Sequence, residues 1–336
     1  ETDTAWTGFP DAWFVLPRVQ VTARDGTNWL TVTAESDDLA AERLEDWADR
    51  LADGADHERT GPPGIVDKRQ TPSREDWHEQ ITAALEDIRS GYLRKVVLAQ
   101  SLSVDLAEPV SVSDALARLD ETYPDCYRFA FAPGDGAGTF FGATPETLVS
   151  LTDRTVRTGA LAGSTGRGET RAEDEWLGEQ LLDSDKDNHE HELVAEAIRE
   201  QLDPVAARVT TGERSIRKLA TVQHLETPIR AELDSDRHVL ELVDALHPTP
   251  AVGGLPPDAA LETIKSTETF DRGWYAAPVG WIDADGDGTF AVAIRSALAR
   301  GRTASLFAGA GIVEDSEPDR EWDEVQLKYQ PMLDQL

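Results

Sequence analysis

Three sets of residues in this chain have the types and spacing for chemistry. Glu321, Glu324 and Lys328 stand three and four apart in EWDEVQLK, which puts two carboxylates and an ammonium on one helical face. Asp187 and Glu190 in KDNHE offer a second face of the same kind. Two carboxylate-bearing helices could hold one hard divalent cation, since magnesium keeps several waters and takes only one or two protein carboxylates. With 64 Asp plus Glu in 336 residues, acidic pairs at this spacing also arise by chance. The terminal set is distinguished by following directly on the apolar, glycine-bearing strand end LFAGAGIV. The third candidate is Lys95, at the mouth of the apolar run in LRKVVLAQ, one of only six lysines among 32 basic residues.

Other motifs fall short of a site. DADGDG at 283–288 matches the start of a calcium-binding loop, but the twelfth position, which should be a bidentate Glu, is Ile294. A hairpin turn is the expected reading, leaving an acidic cation-binding module as the non-enzymatic alternative. His189 and His191 are two apart, not the four that a zinc-binding helix needs. GGLPP and GDGAG lack a phosphate-binding continuation. Cys126 is the only cysteine and lies in the mostly apolar CYRFAFA, where a buried, inert thiol in a reducing cytoplasm is expected.

The formal charge of -32 leaves no basic stripe for nucleic acid, and no apolar run reaches the roughly 18 residues that span a bilayer. Such an acid-flooded, lysine-poor surface is expected to need molar salt to screen its self-repulsion.

The elements that must position these residues read as α+β. A hairpin is expected over 13–33 and helices over 38–52 and 74–90, with an exposed, mobile loop before residue 73. A helix near 111–122 precedes a hairpin of CYRFAFA and TFFGATPE. Strands around 146–160, an acidic helical region over 172–202, strand over 215–232 and helices near 237–246 and 257–264 follow. The last third reads as strand, hairpin and strand, closed by a helix from about Asp319. One domain over 1–336 is expected, with the hairpin, helix and loop in 1–73 and a catalytic core in 74–336.

The blocks KVVLAQ, FFGATPETL, LAGSTGRG, KDNHEHELV, VQHLETP, LHPTPAVGG, RGWYAAPVGW, AIRSA and GAGIVEDSEPDREWDEVQLK, in this order from residue 90 to 335, resemble the chorismate-utilising enzymes. Among the branches of that family they are most similar to the isochorismate synthases. The resemblance implies two large antiparallel β-sheets packed face to face with helices outside. It also implies Mg2+ as the cofactor and chorismate as the small-molecule substrate; a monomeric, cytoplasmic enzyme is expected, and the salt-adapted composition makes menaquinone synthesis the expected pathway.

Residue by residue, the resemblance makes Lys95 the general base on water and Glu146 the acid that protonates the departing hydroxyl. Such a base must be uncharged when it works, and such an acid protonated. Glu190 and Glu324 match magnesium ligands, with Asp187 and Glu321 matching neighbours that bind directly or through water. Tyr275, Arg295 and Lys328 match contacts to the enolpyruvyl carboxylate, and Gly163, Gly309 and Gly311 match backbone contacts. Ser164, His224 and Ala251 complete the implied substrate site. Lysine at 95 favours water over the ammonia of the anthranilate and aminodeoxychorismate branch, which typically has Gln there. Ala251 favours isochorismate over salicylate, whose synthases tend to carry Thr. Gln100 and Thr147 depart from basic residues usual at their positions.

Overall fold

The computed structural model describes residues 5–24, 26–54, 58–134 and 136–336. They fall into two compact units, Phe9–Thr60 and the rest of the chain. The smaller unit holds an antiparallel pair, β1 (Val19–Arg24) and β2 (Thr27–Val32), and helix α1 (Asp37–Ala52).

The larger unit begins earlier than the expected boundary at 73. Residues 65–71, expected to be loop, form strand β3 (Ile65–Thr71), which pairs antiparallel with β4 (Lys95–Leu106). Their charged, mostly exposed side chains suit a sheet edge and mask the strand in the sequence. The mobility expected at 55–57 lies outside the described residues.

Two seven-stranded, wholly antiparallel sheets make up the larger unit, with the helices flanking them. The first contains β3, β4, β5 (Tyr127–Phe131), β6 (Thr139–Thr144), β12 (Gly254–Leu255), β15 (Ser296–Arg300) and β16 (Thr303–Ile312). The second contains β7 (Thr147–Thr152), β8 (Thr155–Gly166), β9 (Ala206–Thr211), β10 (Ser215–Lys218), β11 (Val222–Leu233), β13 (Pro278–Ile282) and β14 (Gly288–Val292). The α+β, two-sheet class is thus the one expected.

Alternation does the sorting in the first sheet. Val96, Leu98, Leu102 and Val104 of β4, with Ala308, Ala310 and Ile312 of β16, enter one core with Trp77, Ile81 and Ile88 of α2 (Arg74–Arg89) and Val325, Tyr329 and Met332 of α8 (Pro318–Leu333). Lys95 and Val97, Phe307, Gly309 and Gly311 therefore point the other way, into the space between the sheets.

The acidic helical region is two helices, α4 (Arg171–Asp183) and α5 (Asp185–Leu202). Ser184 breaks the run: its extended backbone ends the first helix, and its side chain caps the second by accepting from the Asp187 amide.

DADGDG is the turn between β13 and β14. The Asp283 side chain accepts from the amides of Asp285 and Asp287, and the Asp287 carboxylate is taken by the amide of Asp153. Cys126 is buried, which pushes its thiol up. Among the described residues no helix is long and apolar enough to cross a membrane.

Candidate active site

One cavity, with an empty volume of about 650 Å³, opens between the sheets where α5 and α8 close their ends. Of the fifteen residues singled out in the sequence, twelve line it: Glu146, Gly163, Ser164, Glu190, His224, Ala251, Tyr275, Arg295, Gly309, Gly311, Glu324 and Lys328. Lys95, Asp187 and Glu321 are not among its lining residues, and Lys95 lies directly against Glu190 and Gly311 of the wall.

Two chain corners carry the most distinctive groups. Pro145 and Glu146 join β6 of the first sheet to β7 of the second, and residues 293–295 return from β14 to β15. The corners run side by side: Glu146 O accepts from Val292 N at 3.0 Å, and Arg295 O from Ala143 N at 3.1 Å. Gly142 makes this approach possible, since a Cβ there would lie 2.4 Å from Arg295 O.

AVAIRSA reads as an unbroken alternating strand, but Arg295 leaves the ladder at φ 50°, a left-handed conformation that costs a non-glycine residue about 1–2 kcal/mol. Strain of this kind persists where the surroundings over-determine it. Here it sends the guanidinium into the cavity. That side chain is buried, Nη2 donates to His224 Nε2 at 3.3 Å, and Nε has no hydrogen-bond partner. No carboxylate forms an ion pair with it among the described residues.

His224 is held neutral, its pKa pushed down to about 3 by burial and by the charges of Arg295 and Lys328. Because Nε2 accepts from Arg295, the ring proton sits on Nδ1, 2.9 Å from Ser164 Oγ. Glu146 moves the opposite way. Burial lifts its carboxyl to about 7, against the pull of Lys95, Lys328 and Arg295.

Helices α5 and α8 bring their carboxylates to three lysines. Lys95 Nζ is 2.9 Å from Glu190 Oε1, Lys186 Nζ is 2.6 Å from Glu321 Oε1, and Lys328 Nζ is 2.7 Å from Glu324 Oε1. Lys95 and Glu321 are wholly buried. The setting of Lys95 is thus less apolar than its strand suggested, with a carboxylate as its nearest charged neighbour. Lys186 was not singled out in the sequence, although lysine scarcity marks it as it marks Lys95. Burial opposes its charge, but Glu321, Glu324 and Glu190 outweigh that and hold it above its ordinary value.

Crowding of acids also shows in the carboxyls. Burial and the Glu324 charge raise Glu321 to about 7, while Glu324, although buried, is drawn down to about 2 by Lys328 and Lys186. Asp187 is raised by burial, and its carboxylate accepts from Ser184 Oγ at 2.5 Å, so it turns toward its own helix cap.

Gly311 gives this group its space: a Cβ there would fall 2.1 Å from Glu190 Oε1 and 2.8 Å from Lys95 Cε. At Gly309 and Gly311, β16 has run past its last pairing with β15, at Ser296 and Phe307, so one backbone edge faces the cavity. Lys328 Nζ donates to Gly309 O at 2.8 Å.

Of the carboxylates on α5 and α8, Glu190 and Glu324 face the cavity. Among the described residues no three His, Cys, Asp or Glu side chains already gather at metal-binding distance. The donors are nonetheless all carboxylate oxygen, the chemistry suited to Mg2+.

The chorismate-binding enzyme family model matches residues 1–336. The chain belongs to that family. It is 43% identical over 289 residues to the salicylate biosynthesis isochorismate synthase of Pseudomonas aeruginosa, covering 85% of this chain and 60% of the relative. It is 35% identical over 342 residues to isochorismate synthase MenF of Bacillus subtilis, covering all of this chain and 72% of the relative. Among solved structures, the menaquinone-specific isochorismate synthase MenF of Escherichia coli superposes with a TM-score of 0.85 at 30% identity, over 96% of this chain and 75% of that one. Anthranilate synthase component I of Streptococcus pneumoniae superposes at 0.78 with 25% identity, over 90% and 69%.

Proposed function

We propose that the protein is a monomeric, cytoplasmic isochorismate synthase that uses Mg2+ to convert chorismate to isochorismate for menaquinone synthesis. The observation that carries this reading is the polarity of one cavity. A buried guanidinium without a carboxylate partner and a carboxyl raised to about 7 stand in the same cavity as Glu190 and Glu324. Chorismate is a dicarboxylate with a leaving hydroxyl, so it requires two anion acceptors and an acid.

Arg295 and Lys328, with the backbone edge at Gly309 and Gly311, take the enolpyruvyl carboxylate, and Tyr275 packs beside it. Neutral His224 holds Arg295 in place. Glu190 and Glu324, with Asp187 and Glu321 behind them, would hold Mg2+, which would supply counter-charge for the ring carboxylate. Lys95 takes a proton from the water that adds at C2, and Glu146 gives its proton to the hydroxyl leaving C4. The atoms balance, because one water is consumed and one released. For Lys95 to be uncharged when it acts, the Glu190 carboxylate must be engaged elsewhere than on its ammonium.

Water in place of ammonia is supported by Lys95, and isochorismate in place of salicylate by Ala251 on the cavity wall. Purified protein incubated with chorismate and Mg2+ in high potassium chloride, with and without ammonium, tests the reading. Isochorismate formed regardless of ammonium is expected; anthranilate, salicylate or unchanged chorismate from folded protein would overturn it.

A further inference from the structure

A second cavity, with an empty volume of about 1080 Å³, lies behind the first. Val252 and Tyr275 line both, so they are the partition between them. A partition with space behind it can retreat unless something ties it.

The tie is an ion pair that the mechanism above does not use. Arg272 Nη1 donates to Val252 O at 2.9 Å, Nη2 to Val97 O at 2.8 Å, and Nε to Glu268 Oε2 at 2.8 Å. Glu268 Oε1 accepts from Arg272 Nη2 at 2.5 Å and from the Ala99 amide at 2.8 Å. The guanidinium carbon stands 6.0 Å from the centre of the Tyr275 ring. One pair, with side chains 18% and 4% exposed, thus fixes three cavity-lining residues from three segments of chain. A buried pair gains little net stability, because desolvation offsets its attraction, but a planar fork with several partners fixes geometry well.

Isochorismate carries its own competing reaction. Its C2 hydrogen can pass to the terminal methylene of the enolpyruvyl arm as the C3–O bond breaks. The methylene becomes the methyl of pyruvate, the ether oxygen its ketone, and the ring closes its third double bond as salicylate. No co-reactant is needed, only approach of the arm to C2. Resting on the function proposed above, we infer that Arg272 and Glu268 are positioning residues that hold Val252 and Tyr275 against the enolpyruvyl arm and so suppress loss of pyruvate.

The test measures isochorismate, salicylate and pyruvate from chorismate for the wild type, Arg272→Lys and Glu268→Gln, alongside thermal melts. Lysine keeps the charge but cannot span both carbonyls, and glutamine keeps an acceptor for Ala99 without the charge. A 1 Å misplacement costs on the order of 100-fold, so kcat/KM should fall roughly 10- to 100-fold in Arg272→Lys. The pyruvate share of product should rise several-fold in both variants, with little change in melting. An unchanged share in both folded variants overturns the inference whether or not turnover falls. Loss of folding in both would mark a purely structural pair and overturn it too. A wild type that makes no isochorismate overturns the functional reading itself, which separates the two failures.

Discussion

Glu146 and Arg295 owe their chemistry to what surrounds them. Burial holds the Glu146 carboxyl near 7, so the proton it would donate as the proposed acid is present below that pH and lost above it. Turnover should therefore fall as pH rises through about 7, and a kcat profile checks this. Glu146→Gln, which cannot release a proton, should lower kcat by about 10²- to 10⁴-fold and abolish that limb of the profile. Arg295→Ala should raise KM for chorismate about 10- to 100-fold, as expected for losing charge-assisted hydrogen bonds worth about 1.5–3 kcal/mol. Steady-state kinetics on the folded variant reads it. The sequence carried the identity of these residues but not the left-handed turn at Arg295, because alternation in AVAIRSA looks the same whether or not the strand ends. Arg272 and Glu268 were silent for another reason: four apart in an acid-rich chain, they read as an ordinary surface pair until their burial is known.

Elements were most legible where periodicity and burial agree. Helices α2 and α8 and strand β16 each carry a strong apolar face and were readable within a few residues, whereas β4 runs on to Leu106, past the apolar run in LRKVVLAQ. Strand β3 was hidden by its charges, and the break between α4 and α5 by a single serine whose capping role depends on local geometry. Strand β16 gives the sharpest test. Gly311→Ala would press a methyl into Glu190 and the Lys95 side chain, and overpacking of this kind costs about 1–3 kcal/mol. A lower melting temperature and loss of turnover are expected together. Gly166→Ala, where a Cβ meets nothing within 4 Å, should leave both nearly unchanged.

For the whole molecule, charge sets the conditions under which this architecture holds. At -32, self-repulsion opposes the compact state, and raising salt from 0.1 to 1 M shortens the screening length from about 10 to about 3 Å. Thermal unfolding in potassium chloride should shift upward steadily across that range, and an unchanged midpoint would show that the acids are already neutralised by structure. The same scarcity of cations has a practical outcome. Three of the six lysines, Lys95, Lys186 and Lys328, sit in ion pairs at the acidic helices with 0%, 8% and 18% of the side chain exposed. Lys68 and Lys265 are exposed and Lys218 is 40% so. An amine-acylating reagent followed by peptide mass spectrometry should therefore modify only the latter three while the fold is intact. Lysine labelling then becomes a gauge of whether the cavity is closed, needing neither substrate nor an assay of turnover.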